Sequence, residues 1–240
     1  MNRMKRLKKR ILALVAVILV LTLACGIYAG DYYRAEETAV TVSEDIAVEI
    51  TEDRAVFVPE AAEAGLIFYP GGKVEFTAYL PLMAKLAEEN MLCVLLKMPL
   101  NLAVLDLDAA EGIPEQFPEV EHWYLAGHSL GGSMAASFAA ENADLYEGLI
   151  LLAAYSTETL SGTGLKVCSL YGDRDGVLNL EKYEQYRSNL PEDTLELVLE
   201  GGNHADFGSY GAQEGDGVSA LEPGQQLQWT ADTIAAFIRN

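Results

Sequence analysis

Six short apolar runs, GLIFYP (65–70), LCVLLK (92–97), HWYLAG (122–127), GLILLAA (148–154), KVCSLYG (166–172) and LELVLEGG (195–202), punctuate this chain, and amphipathic stretches separate most of them. Most of the runs are continuous rather than alternating, so the sheet they predict is covered on both faces. Between them, 76–90, 129–142, 179–189 and 224–238 carry helical patterns. Strand and helix taking turns in this way predict an α/β fold: a mostly parallel central sheet with helices on both faces. At 240 residues, half of them hydrophobic, the chain can bury one substantial core.

Ahead of this body lies Ile11 to Ala29, ILALVAVILVLTLACGIYA, with no charged residue. As a helix it would reach about 28 Å, near the thickness of a bilayer's hydrocarbon core. Six of the 16 basic residues fall within positions 1–10, and all 36 acidic residues come after position 30. The positive-inside tendency then leaves residues 1–10 in the cytoplasm and carries the body across. The expectation is a basic cytoplasmic segment (1–10), a transmembrane helix serving as signal anchor (11–29), a polar stalk (30–45) and a catalytic-sized domain (46–240) outside. Cleavage near Ala24-Cys25-Gly26 and lipid attachment at Cys25 are the competing readings of the same segment.

Past residue 30 the balance is ten basic residues against 36 acidic ones. Such a body repels phosphate backbones, and no basic stripe offsets it, so nucleic acid is excluded as a partner. The remaining cysteines, Cys93 and Cys168, sit inside apolar runs. They read as buried thiols more readily than as a disulfide, and neither has neighbours suited to zinc.

The segment LAGHSLGG (125–132) raises the sharpest question. A strand that enters a helix through Gly-His-Ser alone must bend hard at Ser129, and Gly127 and Gly131 remove the side chains that would collide there. Such a bend exposes the serine hydroxyl at a strand's carboxyl end, where ligands bind in sheets of this kind. It also brings the Leu130 N–H to the positive end of a helix, suited to a developing oxyanion. A GxSxG string arises by chance in about one chain in ten of this composition, so its helpers decide its meaning.

A serine needs a base to take its proton and an acid to orient that base. Of three histidines, His122 opens a strand and His128 is turned away by the bend. His204, in GGNHADFG after a strand, sits on a glycine-rich loop that can bring it over the sheet's end. Between serine and histidine, DRDG follows a strand and offers Asp175 or Asp173.

GHSLGG (127–132), YGDRDG (171–176) and GGNHADFG (201–208) together make the body resemble an α/β-hydrolase, in particular the compact fold-5 group related to dienelactone hydrolases. The resemblance implies Ser129 as nucleophile, Asp175 as acid with Asp173 as fallback, and His204 as base. It also implies a second oxyanion donor in the loop FYPGGKV (68–74), at Gly72 or Lys73, with Gly72 preferred. YPGG departs from the His-Gly pair of many relatives. A P-loop is excluded because Ile67 and Val74 stand where Gly and Ser or Thr are required, and DRDG lacks EF-hand spacing.

The expected activity is hydrolysis of a small-molecule ester or thioester through an acyl-enzyme, with no cofactor and no metal. Two other expectations share the same residues: a hydrolase-fold module that only binds, and an acyltransferase that passes the acyl group to an alcohol. Residues 98–120 and 155–164 are the loops long enough to shape a pocket, and 98–120 has room for one helix.

Overall fold

The computed structural model describes residues 2–37 and 40–240. The chain falls into two units, Met1–Tyr32 and Tyr33–Asn240. The first is a single helix, α1 (Asn2–Gly30). Ile11, Leu12, Leu14, Val15, Val17, Ile18, Leu19 and Val20 all present exposed apolar side chains along it.

The transmembrane span expected at 11–29 is not supported: among the described residues no helix is long and apolar enough to cross a membrane. The side chain of Cys25, with the readings of cleavage and lipid attachment made there, lies outside the described residues.

The second unit is built on one eight-stranded sheet in the order β1-β2-β4-β3-β5-β6-β7-β8. Its strands are β1 (Ile46–Ile50), β2 (Arg54–Pro59), β3 (Ala64–Tyr69), β4 (Met91–Leu96), β5 (Trp123–His128), β6 (Gly148–Leu152), β7 (Lys166–Gly172) and β8 (Leu195–Leu199). From β4 to β8 every pairing is parallel, whereas β2 runs antiparallel to both β1 and β4. Residues of β3, β4, β5 and β6 are buried throughout, as continuous apolar runs require.

Strand alternation sorts these side chains into two cores. Leu66, Phe68, Cys93, Leu95 and Tyr124 face one side, packed with α2 (Leu80–Glu88) and α5 (Gln225–Ile238). Ile67, Tyr69, Leu92, Val94 and Leu125 face the other, packed with α3 (Leu130–Glu141). The buried residues of α3 are Gly131, Gly132, Ala135, Ala136, Phe138 and Ala139; all but Phe138 are small, which lets the helix axis lie close on the sheet. A further helix, α4 (Leu180–Tyr186), starts at Asn179, whose side chain accepts from the Lys182 N–H at 2.9 Å.

Two local features differ from the sequence expectation, and the cysteines agree with it. Residues 98–120 form short 3-10 turns at Pro99–Asn101, Ala103–Leu105 and Pro114–Gln116 instead of a helix. Three prolines, Pro99, Pro114 and Pro118, and a Leu100-Asn101 pair at φ of 52° and 56° interrupt any α-helical run there. Part of the expected stalk lies against the body: Tyr33 bridges Val74, and the Glu36 N–H donates to the Ser209 carbonyl at 2.8 Å. Cys93 and Cys168 are free buried thiols, and burial pushes the Cys168 thiol up to about 12.

Candidate functional site

Parallel pairing puts the ends of β3, β5, β7 and β8 at one edge of the sheet, and the segments that follow them carry Gly72, Ser129, Leu130, Asp175 and His204. Ser129 stands between β5 and α3 with φ 52° and ψ −122°, a conformation that side chains rarely adopt. Its N–H donates to the Leu152 carbonyl at 2.9 Å, pinning the bend to the neighbouring strand.

The glycines around it are required by close backbone. A Cβ on Gly127 would come within 2.6 Å of the Gly132 nitrogen, and one on Gly131 would run into the carbonyl oxygens of Tyr69 and Pro70. The bend therefore presses the start of α3 directly onto the end of β3, where the YPGG loop begins.

That loop offers three consecutive N–H groups, two of which are committed. The Gly71 N–H donates to the Tyr79 hydroxyl at 3.1 Å, and the Lys73 N–H to the Asn101 carbonyl at 2.7 Å. Gly72 remains of the three, and a Cβ placed on it would meet the Leu130 side chain at 2.8 Å. Gly72 and Leu130, the two expected donors, are thus neighbours. Leu130 opens α3, where main-chain N–H groups have no intrahelical acceptor.

His204 and Asp175 meet directly. The Nδ1 of His204 lies 2.8 Å from Oδ2 of Asp175, and both side chains are almost completely buried. The other oxygen of Asp175 accepts from the N–H groups of Val177 and Leu178, at 2.8 and 2.7 Å. Three hydrogen bonds fix this carboxylate. The fallback acid, Asp173, is used differently: it accepts from the Gly201 N–H at 2.7 Å and braces the turn after β8.

The His204 ring also packs against His128, the residue directly before Ser129, with centroids 4.5 Å apart. His122 is exposed, with Nδ1 3.1 Å from a Glu147 carboxylate oxygen.

His128 and Tyr79 form a buried pair that the sequence did not reveal as part of the site. Nδ1 of His128 lies 2.8 Å from the Tyr79 hydroxyl. That hydroxyl already accepts from Gly71, so its own proton is satisfied by donation to Nδ1, which leaves the ring proton on Nε2. Nε2 makes no well-formed hydrogen bond among the described residues. Burial first, and the nearby His204 second, hold the His128 pKa well below the usual histidine range, the His204 main chain opposing them weakly. Burial likewise pushes the Tyr79 hydroxyl up. Both groups are neutral at ordinary pH.

A second carboxylate, Asp216, receives main-chain N–H groups from both the Asp175 and the His204 loops. Nothing in its local sequence beyond two flanking glycines marks it out. A cavity of about 890 Å³ lies behind the His204 loop, lined by Asn203, Asp206, Asp216 and residues of α2 and α5. Its lining includes neither Ser129 nor His204, so it is separate from the serine's surroundings. Among the described residues no group of three or more His, Cys, Asp or Glu could hold a metal ion.

A model of the alpha/beta hydrolase family matches residues 65–228, which span the serine bend, the YPGG loop and the Asp175–His204 pair. The chain belongs to this family. Solved structures share its fold: TT1662 from Thermus thermophilus is 19% identical, with 81% of this chain and 97% of that one covered at a TM-score of 0.58. A predicted CIB-like hydrolase from Thermoplasma acidophilum is 16% identical, covering 80% and 99% at 0.55. An esterase/lipase from an uncultured bacterium is 11% identical, covering 84% and 86% at 0.60. No curated relative matches. At such identities the likeness of these structures to this alpha/beta hydrolase is one of fold.

Proposed function

We propose that this alpha/beta hydrolase is a serine hydrolase that cleaves a small-molecule ester or thioester. The observation that carries the reading is the 2.8 Å hydrogen bond between His204 and Asp175, made at the same sheet edge as a strained, partly exposed Ser129.

In the proposed reaction Ser129 Oγ attacks the substrate carbonyl carbon while its proton passes to His204 Nε2. Asp175 holds the imidazole with its other proton on Nδ1 and stabilises the cation that forms. The carbonyl electrons move onto oxygen, which accepts hydrogen bonds from the Leu130 and Gly72 N–H groups. Collapse expels the alcohol or thiol, which leaves with the proton from His204. Water, deprotonated by the same imidazole, then attacks the acyl-enzyme and releases the acid. That 98–120 holds only short 3-10 turns and no separate lid domain supports a small or extended acyl substrate.

The proposed location is the outer side of a membrane, with residues 1–10 in the cytoplasm. Its supports are the six basic residues ahead of Ile11 and the exposed apolar side chains from Ile11 to Val20. Protease added to intact cells should remove the acidic body, and full protection would overturn that orientation.

For the chemistry, a fluorophosphonate probe is decisive. Labelling of the wild type but not of Ser129→Ala is expected. An unlabelled wild type would favour a module that binds without turnover.

A further inference from the structure

Asp216 lies in GAQEGDG (211–217), twelve residues after His204 and outside every motif of the family resemblance. Its Oδ1 accepts from the N–H groups of Gly176 at 3.1 Å, His204 at 3.1 Å and its own neighbour Gly217 at 2.8 Å. Its Oδ2 accepts from the Ala205 N–H at 2.8 Å. Gly176 directly follows Asp175, and His204 and Ala205 belong to the histidine loop. One carboxylate therefore grips the loops on both sides of the His204–Asp175 hydrogen bond.

The surrounding backbone is shaped for this grip. Gly215 takes φ 84°, a left-handed turn that aims the next side chain inward. A Cβ on Gly217 would run into the Arg174 carbonyl, and one on Gly176 into the Gly215 carbonyl, so turns 174–176 and 215–217 pack main chain on main chain. On its far side the histidine loop is held by Gln226, which accepts from the Asn203 N–H at 3.1 Å and donates to the Asn203 carbonyl at 2.8 Å.

We propose that Asp216 is a positioning residue that sets the register between the Asp175 and His204 loops, and so holds the imidazole where it can serve Ser129. This rests on reading those three residues as a triad. Bonds confined to one loop would stabilise that loop alone. Asp216 bonds to both, and charge-assisted acceptance from four N–H groups makes it a stiff tie. A displacement of about 1 Å between reacting groups can cost about a hundredfold in rate.

The test is Asp216→Asn in the full chain. The amide keeps the shape, but its nitrogen cannot accept from a main-chain N–H and the charge is gone. Three readouts are compared with wild type: kcat and KM on a chromogenic acetate ester, the rate of fluorophosphonate labelling, and the downfield proton NMR resonance of the His204 Nδ1–H. The expected result is a fall in kcat and labelling rate of about 10- to 100-fold, KM within about twofold, and a shifted or broadened resonance.

Ile234→Val, a core change on α5, supplies a folded control of lowered thermal midpoint that keeps kcat. If Asp216→Asn fails to fold, Asp216→Glu, which retains the charge one methylene further out, is put through the same readouts with the same expectation. Unchanged kcat and resonance in the folded variant would overturn the proposal, as would a loss of kcat that only tracks the unfolded fraction. A wild type that the phosphonate does not label at Ser129 would instead sink the triad reading, and this inference with it.

Discussion

The imidazole Nδ1 of His204 meets Oδ2 of Asp175 at 2.8 Å across two loops, while Asp173, two residues earlier, is turned toward Gly201. Only one of the two aspartates is therefore placed to orient the base. Asp175→Asn should lower kcat by about a thousandfold or more, because the amide cannot stabilise an imidazolium and favours the wrong tautomer. Asp173→Asn should keep kcat within about threefold and cost about 1 kcal/mol of stability from one weakened hydrogen bond. Steady-state kinetics on a common ester separates the two, and a reversal of the pattern would reassign the acid.

Ser129 occupies φ 52° and ψ −122°, where any side chain beyond glycine is strained. Ser129→Gly should therefore stabilise the fold by about 1 kcal/mol while abolishing turnover. A denaturant midpoint that rises with activity gone is the expected outcome. A midpoint that falls would mean that the hydroxyl contributes more to the fold than its backbone costs.

Where the amino-acid pattern was informative, the reason is burial on two sides. Strands such as β3 and β6 are surrounded by other elements, so almost every residue is apolar and the run stands out. By contrast β1 is an edge strand with only Ile46 buried, and Glu49 interrupts its apolar residues. The serine bend was legible because its glycines are forced by main-chain contact, Gly131 with the end of β3 and Gly127 with the start of α3. Asp216 was not, because its role depends on two loops 29 residues apart in sequence meeting in space. Tyr79 lies within the helical pattern at 76–90, which carries no sign of its role; only the fold shows its hydroxyl between Gly71 and His128.

That hydroxyl joins the YPGG loop to His128, the residue before Ser129. Tyr79→Phe leaves the ring packing in place but strands the Gly71 N–H and the His128 Nδ1, both buried. The expected cost is about 2–3 kcal/mol of stability. With the Gly71 end of the loop released, the Gly72 donor loses its fixed position. The fall in kcat should be about 10- to 100-fold, with KM little changed. Thermal unfolding and ester kinetics on the same samples check both parts, and a loss confined to stability would show that the loop keeps its place without this tie.

His128 sets a pH dependence of stability whose sign follows from its burial. Its folded-state pKa is depressed, chiefly by desolvation and then by His204, so the folded protein resists taking up a proton that the unfolded chain binds freely. Below the unfolded value, about 6.5, the unfolded state holds the extra proton and stability falls as pH falls. Above it, neither state is protonated there and the penalty vanishes. From this group alone the slope approaches about 1.4 kcal/mol per pH unit until the folded histidine also titrates. His128→Gln, which offers an acceptor to Tyr79 without a titrating ring, should flatten the drop in unfolding free energy between about pH 6.5 and 5 by that one-proton slope. If wild type and variant lose stability in parallel over this range, the proton uptake belongs to other groups and His128 is not the source of the acid sensitivity.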